Sequence, residues 1–282
     1  MLRTRIITAS ILGIAFLIVL FALSPAWWML ATSIVMLISL WEWSKISKLS
    51  RPQTIVFLCV SALLGGAILL ILDDALPSDI AFIFSLSSII ATLFWVLIVP
   101  LWLKFGWRPQ NKIVLCLTGW LVVFPTWFAF IEHRSISPWL LLGLMALVWV
   151  CDISAYFTGK AFGRHKLAPS ISPGKTWEGV WGAMVGVLVY TLLCFGAFRY
   201  FNKFNELESL SWAIIIFGAL SLAIVSIIGD LFESWMKRGA GLKDSSNLLP
   251  GHGGVLDRID ALTSTLPIAS CLFFVLTKVA YL

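Results

Sequence analysis

Charge is scarce in this chain. Of 282 residues only 12% are Asp, Glu, Lys or Arg, against 60% hydrophobic, and the mean hydropathy is +0.97. An ordinary soluble domain carries roughly one quarter charged residues. Half that share cannot cover a water-exposed surface of this size, which excludes a water-soluble enzyme. Disorder is excluded too, because disordered chains are poor in apolar residues. Histidine is almost absent, and His133, His165 and His252 are too scattered for a zinc-ligand pattern. Cys59, Cys116, Cys151, Cys194 and Cys271 show no CxxC spacing and read as packing residues. There is no low-complexity tract, no clear repeat and no second soluble domain. The net charge of +6 rests on Lys and Arg in short turns rather than in one stripe, so no nucleic-acid partner is expected.

What the chain has in quantity is long apolar runs. A helix needs about 20 mainly apolar residues to cross the hydrocarbon. Nine stretches qualify: Ile6–Leu23, Ala26–Trp43, Thr54–Leu72, Ile80–Leu103, Ile113–Ile131, Trp139–Phe157, Val180–Phe198, Leu210–Ile228 and Leu262–Val279. The 15 Trp and 20 Phe fit side chains that favour the headgroup level. The fold class expected is all-α, a polytopic membrane helical bundle of about nine transmembrane helices. Pro100 and Pro125 are expected to kink two of them. The first run, behind Arg3 and Arg5, exceeds the roughly 7–15 residues of a signal core and reads as an uncleaved anchor.

Counting Lys and Arg orients the bundle. With the amino terminus in the cytoplasm, 16 of the 20 basic residues fall inside, and only Arg134, Arg199, Lys203 and Lys278 outside. That is the positive-inside asymmetry. The outside also takes Asp73, Asp74, Asp79, Glu132, Glu206 and Glu208, and an odd number of spans puts the carboxyl terminus there. Lys45, Lys48, Arg51, Lys104, Arg108 and Lys112 need no reading beyond topology and contact with anionic headgroups. Two inside connections are long, glycine-rich and mixed in charge: 158–176 and 229–260. Long ordered loops are usually functional. The chain therefore divides into an amino-terminal region of about five spans, 1–135, and a carboxyl-terminal catalytic region, 136–282, that carries both loops.

Carboxylates in or beside spans are costly and call for an explanation. Asp152 lies within the sixth run and Asp230 ends the eighth. If that helix continues, Asp230, Glu233 and Lys237 share a face. Asp257 and Asp260 stand three apart before the last run. Oxygen ligands with no nearby His or Cys favour Mg²⁺, bound by one or two carboxylates plus substrate phosphates. The alternative is a set of interhelical ion pairs, such as Asp260 with Lys237 or Arg258, and spacing leaves both open. Lys160, Arg164, Lys166, Lys175, Lys237, Arg238, Lys243 and Arg258, interleaved with acids and glycines, suit a phosphorylated ligand. Gly174-Lys175-Thr176 resembles the end of a P-loop, but Pro169 stands where its first glycine belongs, so a Walker-type ATPase is rejected. His252 suits either an acid–base role or a turn residue that donates to phosphate or backbone.

The stretch SWMKRGAGLKDSSNLLPGHGGVLDRID, Ser234 to Asp260, resembles the signature of phosphatidate cytidylyltransferases, also called CDP-diacylglycerol synthases. Its elements are Ser234, Lys237-Arg238, Lys243-Asp244, Pro250, His252-Gly253-Gly254 and Asp257-Arg258-x-Asp260. The GDLFES segment before it and the SPGKTWEG element of the sixth connection are similar to the family too. Ile153 departs from the Ser or Thr more usual after the aspartate. The resemblance is specific over roughly residues 150–260. It implies an integral enzyme of the bacterial inner membrane, with its site facing the cytoplasm. That enzyme converts phosphatidate and CTP into CDP-diacylglycerol and pyrophosphate, using Mg²⁺ with K⁺ as a candidate second cation, as a homodimer. On this reading Asp230, Asp257 and Asp260 are metal ligands, with Lys237 and Arg238 also catalytic. Lys243, Asp244, His252, Gly253, Gly254, Arg258, Ser172, Lys175, Thr176, Glu178 and Asp152 bind substrate or complete the cavity. A CTP-dependent lipid kinase and an anion transporter are the competing readings.

Overall fold

The computed structural model describes residues 2–74, 77–201 and 212–280. Lys203, Glu206 and Glu208 of the charge tally lie outside them. The described residues form nine helices and one small hairpin. The helices are α1 (Leu2–Ala22), α2 (Pro25–Ile46), α3 (Arg51–Asp74), α4 (Pro77–Leu93, running on through a π-turn, Phe94–Ile98, into Val99–Phe105) and α5 (Lys112–Ile136). They continue with α6 (Pro138–Phe162), the strands β1 (Lys166–Ala168) and β2 (Ser172–Thr176), then α7 (Trp177–Phe201), α8 (Trp212–Ala240) and α9 (Leu256–Ala280). Eight helices are long and apolar enough to cross a bilayer, and the apolar part found in α1 is Gly13–Ala22. The chain is an integral membrane protein.

Helix continues through both internal prolines of the expectation. Proline lacks the N–H for an i→i−4 bond and its ring crowds the carbonyl four residues back. Ahead of Pro100 the helix loosens to π geometry, and Val99 donates to Phe94 O instead. Pro125 sits inside the uninterrupted α5.

Helices α5 and α9 are the most enclosed, and polar side chains tie them to their neighbours. Thr126 Oγ1 donates to Thr263 O at 3.2 Å, and Ser264 Oγ to Val225 O at 2.8 Å. Between apolar helices such bonds and small residues supply the association that water would otherwise drive. Helix α7 packs along α6 on glycines, since a Cβ at Gly182 or Gly186 would collide with Thr158 or Ser154. Its other face, with Val185, Val189 and Leu193, is exposed, as is that of α3, with Ile55, Val56 and Leu63.

The long connections are shorter than expected. Helix α8 runs on to Ala240 and α9 starts at Leu256, so most of 229–260 is helical. Helix α6 likewise continues to Phe162, and an antiparallel hairpin pairing Lys166 with Thr176 and Ala168 with Ser172 fills the rest. Hydropathy marks where apolar character ends, whereas a helix continues as long as its polar residues find partners.

Candidate functional site

Helix α8 carries its acids and bases past the apolar run, and one face collects Asp230, Glu233 and Lys237. Lys237 Nζ pairs with Glu233 one turn back and with Asp257 Oδ1 of α9 at 2.5 Å. All three side chains are buried, with Lys237 and Asp257 at 8% and 5% exposure. The other oxygen of Asp257 is also filled. Oδ2 accepts from Ser245 N at 2.9 Å, Ser245 Oγ at 2.9 Å and Gly254 N at 2.8 Å. Asp257 stands in the first turn of α9 and reaches back over it in the manner of a capping box.

A residue that the sequence reading passed over completes this cluster. Glu42, in α2, is fully buried. Its Oε1 accepts from Ser246 Oγ at 2.6 Å and Val255 N at 3.0 Å. Its Oε2 accepts from Ser245 Oγ at 3.1 Å and Leu256 N at 2.6 Å. The first amides of a helix have no partner within it, and the helix dipole favours a carboxylate there. Glu42 therefore caps α9 from another helix and pins the Ser245–Leu256 segment. The available signal was a lone acid inside an apolar run, which must find partners when buried.

The glycines of the signature close this segment. Gly253 has φ 83°, and a Cβ there would lie 2.7 Å from Asp257 Oδ2. A Cβ at Gly254 would collide with Ser245 Oγ and with Glu42. Leu249 N donates to Gly253 O at 2.8 Å and His252 N to Leu249 O at 2.9 Å, so His252 sits in a tight turn. Here the glycines bring backbone against carboxylates.

Asp230 sits in a more open setting. Lys175 Nζ, on β2, lies 2.6 Å from Asp230 Oδ2, with side-chain exposures of 23% and 29%, and Ser234 Oγ donates to Asp230 Oδ1 at 3.4 Å. The hairpin that delivers Lys175 is itself held at α7. Thr176 Oγ1 accepts from Gly179 N at 3.2 Å, capping the helix, and Glu178 takes the His165 N–H at 3.2 Å and ring Nδ1 at 2.7 Å. Thr176 and Glu178 thus shape the hairpin, Ser172 pairs with Ala168 at its far end, and Lys175 alone among them reaches an aspartate.

Asp260 accepts from Ala261 N at 2.8 Å and lies within electrostatic reach of Asp230, Asp152 and Lys237. Asp152 in turn feels Asp230, Lys175 and Arg258. The ion pairs foreseen as the alternative, Asp260 with Lys237 or Arg258, are replaced by Lys237 with Glu233 and Asp257. Arg238 is exposed and donates to Leu242 O at 2.9 Å, while Lys243, Asp244 and Arg258 are exposed on the same end of the bundle. Among the described residues, no three His, Cys, Asp or Glu side chains converge in a ready metal-holding group. Of the three aspartates of the expectation, Lys237 holds Asp257, Lys175 holds Asp230, and Asp260 lies within electrostatic reach of Asp230.

The chain is similar to known proteins over nearly its whole length. The profile described as "Cytidylyltransferase family" matches residues 3–276. A protein of Haemophilus influenzae named phosphatidate cytidylyltransferase is 35% identical over 97% of this chain and 99% of its own. One of Pseudomonas aeruginosa with the same name is 38% identical over 97% of both. A third so named, from Thermotoga maritima, is 33% identical over 82% of this chain and 72% of its own. The match extends through the amino-terminal helices, well beyond the 150–260 signature, and takes in the α2 helix that supplies Glu42. From α1 to α9, the chain belongs to the cytidylyltransferase family.

Proposed function

We propose that the ledge formed by α8, α9 and β2 is where a lipid phosphate meets a nucleoside triphosphate, at the cytoplasmic face of a bacterial inner membrane. The protein is an enzyme that condenses CTP with phosphatidate to give CDP-diacylglycerol and pyrophosphate in phospholipid biosynthesis. The observation that carries this is similarity to phosphatidate cytidylyltransferases over nearly the full length of both chains.

A phosphate monoester is largely dianionic near neutral pH, with its second pKa at about 6. Its oxygen can therefore attack the α-phosphorus of CTP without a strong general base. The bond from that phosphorus to the bridging oxygen breaks, and pyrophosphate carries the electrons away. The obstacle is repulsion between two polyanions, so positioning and charge stabilisation should dominate. Lys175 suits this work, because it is partly exposed and its hairpin can offer the ammonium to a phosphate in place of Asp230. Lys237 is more firmly held and acts as a fixed positive charge beneath the site. Arg238, Lys243 and Arg258 line the rim, where triphosphate and lipid headgroup approach.

The donor set fits Mg²⁺. Asp152, Asp230, Glu233, Asp257 and Asp260 lie within electrostatic reach of one another and of Lys175, Lys237 and Arg258, a donor set of oxygen ligands alone. Asp230 and Asp260 would hold the ion, joined by Asp257 where Lys237 or the donors on its second oxygen give way, and K⁺ is the candidate second cation. When bound, it supplies charge neutralisation on the triphosphate and its leaving group. Positive-inside asymmetry supports the cytoplasmic orientation, and a homodimer is the proposed assembly.

The test is a product assay on the purified chain with labelled CTP and short-chain phosphatidate. CDP-lipid and pyrophosphate should form only with Mg²⁺. Asp230→Asn should nearly abolish turnover in a folded protein, and Asp257→Asn should do so with a loss of stability as well, because it leaves the buried Lys237 with Glu233 alone. Normal turnover by Asp230→Asn removes the metal-ligand assignment.

A further inference from the structure

The basic residues that topology alone would account for are not equivalent in the structure. Lys48, Arg108 and Lys112 line one cavity of about 170 Å³, between the α2–α3 turn, the α4–α5 loop and the last turns of α8. Trp235 and Gly239 form part of its wall, and no acidic side chain lines it. Among the described residues, none of the three cations is in a salt bridge. On a helix with about 3.6 residues per turn, Trp235 and Gly239 point away from the Asp230–Lys237 face. The cavity is therefore separate from the site described above.

Each cation is placed by its own local structure. Lys48 has φ 52° as the left-handed residue that closes α2, its N–H on Lys45 O at 3.0 Å and that of Leu49 on Ser44 O at 3.1 Å. Lys112 occupies the first turn of the 25-residue α5, which has no acidic residue there, and its Nζ donates to Gln53 Oε1 at 2.9 Å, so the positive end of the helix dipole and the ammonium add at one place. Arg108 is held by a favourable cation–π contact, its guanidinium carbon 4.4 Å from the centroid of Trp235. Three positive charges with no acid among the lining residues make this cavity attractive to an anion.

The walls are also rigid. Trp102 Nε1 and Trp235 Nε1 both donate to Trp107 O, at 2.8 and 2.9 Å, which clamps the loop between α4 and α5. Gly106 turns that loop with φ 62°. The loop that carries Arg108 is thus held in place, and the three cations stand exposed at the rim of the cavity.

The geometry points to a second phosphate-binding site in this cavity, formed by Lys48, Arg108 and Lys112 at the level of the lipid headgroups. A cavity of about 170 Å³ takes a phosphate group with a few waters. It falls below the roughly 300–1,000 Å³ of pockets that enclose a whole small molecule, which argues against CTP. Basic pockets between transmembrane helices on this side suit phospholipid headgroups. Free phosphate shares the same chemistry.

The experiment is thermal unfolding of the purified full chain at constant ionic strength. Inorganic phosphate, dioctanoyl-phosphatidylglycerol and dioctanoyl-phosphatidylcholine are titrated separately. Phosphate and phosphatidylglycerol should raise the unfolding temperature, and phosphatidylcholine should not. Half-saturation by phosphatidylglycerol at lower concentration than by phosphate identifies a lipid headgroup as the occupant, and the reverse order identifies the free anion. Arg108→Gln should weaken binding by about tenfold, the worth of one charge-assisted contact. Lys48→Gly relieves the backbone strain, so it should fold at least as stably without ligand and yet bind more weakly. A shift that survives both substitutions would place the anion at the Asp230–Lys237 face and overturn the proposal, as would no shift in the unsubstituted protein.

Discussion

Two Lys–Asp pairs flank the same face of α8, and they differ in what surrounds them. Lys237 and Asp257 are enclosed at 8% and 5% exposure, with Glu233 on the lysine, and Ser245 and Gly254 on the aspartate. Lys175 and Asp230 are three to six times more exposed and share one further contact, from Ser234. Removing one partner of a buried pair leaves an uncompensated charge and costs about 3–5 kcal/mol. An exposed pair contributes about 0–1 kcal/mol. The same chemical pair thus serves as a scaffold at one position and as a movable contact at the other. A phosphate can displace Lys175 from Asp230 cheaply, whereas displacing Lys237 would open the start of α9.

The comparison yields four predictions. The largest effect is expected for Lys237→Ala, which leaves Glu233 and Asp257 buried without a counter-charge. It should lose about 3–5 kcal/mol in reversible denaturant unfolding, and a loss under 1 kcal/mol would contradict the scaffold assignment. Next comes Glu42→Ala, which strands the Ser246 hydroxyl and the Val255 and Leu256 amides, while Ser245 keeps Asp257. A loss of about 3 kcal/mol is expected, with faster hydrogen exchange across residues 245–256 as the local readout.

Gly254→Ala should follow at about 1–3 kcal/mol, because its methyl group must push Ser245 away from Glu42. The expected readout is a lower unfolding temperature, with hydrogen exchange that rises in the same segment. Lys175→Ala is the smallest in stability, about 1 kcal/mol or less, yet it should lower kcat/KM by about a hundredfold through lost charge stabilisation. Equal destabilisation by Lys175→Ala and Lys237→Ala would erase the distinction between the two pairs.

Much of this was legible without coordinates. The nine helices follow from runs of apolar residues long enough for a bilayer. The shared face of Asp230, Glu233 and Lys237 follows from their spacing once α8 is allowed to continue. Less legible was the β1–β2 hairpin, because Lys166–Thr176 has no alternating apolar pattern and is held by Thr176 and Glu178 at the start of α7. Glu42 was missed for a different reason. It lies more than 200 residues from Ser245 and Leu256, and no local spacing connects them.

The division at residue 135 reads the signature half as the carrier of chemistry. Glu42 nevertheless reaches from the amino-terminal half into the loop of that signature. Lys48, Arg108 and Lys112 carry the same lesson. As sequence they are three of many inside charges, and only the packing of α2, α4, α5 and α8 sets them around one cavity.

By itself the sequence determined that this chain lives in a membrane as helices, because a chain with so little charge cannot be solvated and must satisfy its backbone internally. It also determined the chemistry that is available, carboxylates and ammoniums in one short region with glycines between them. Tertiary structure decided which charges meet. Partner choice among buried ions depends on burial and on distances of a few ångströms between helices remote in the chain, and local spacing carries neither.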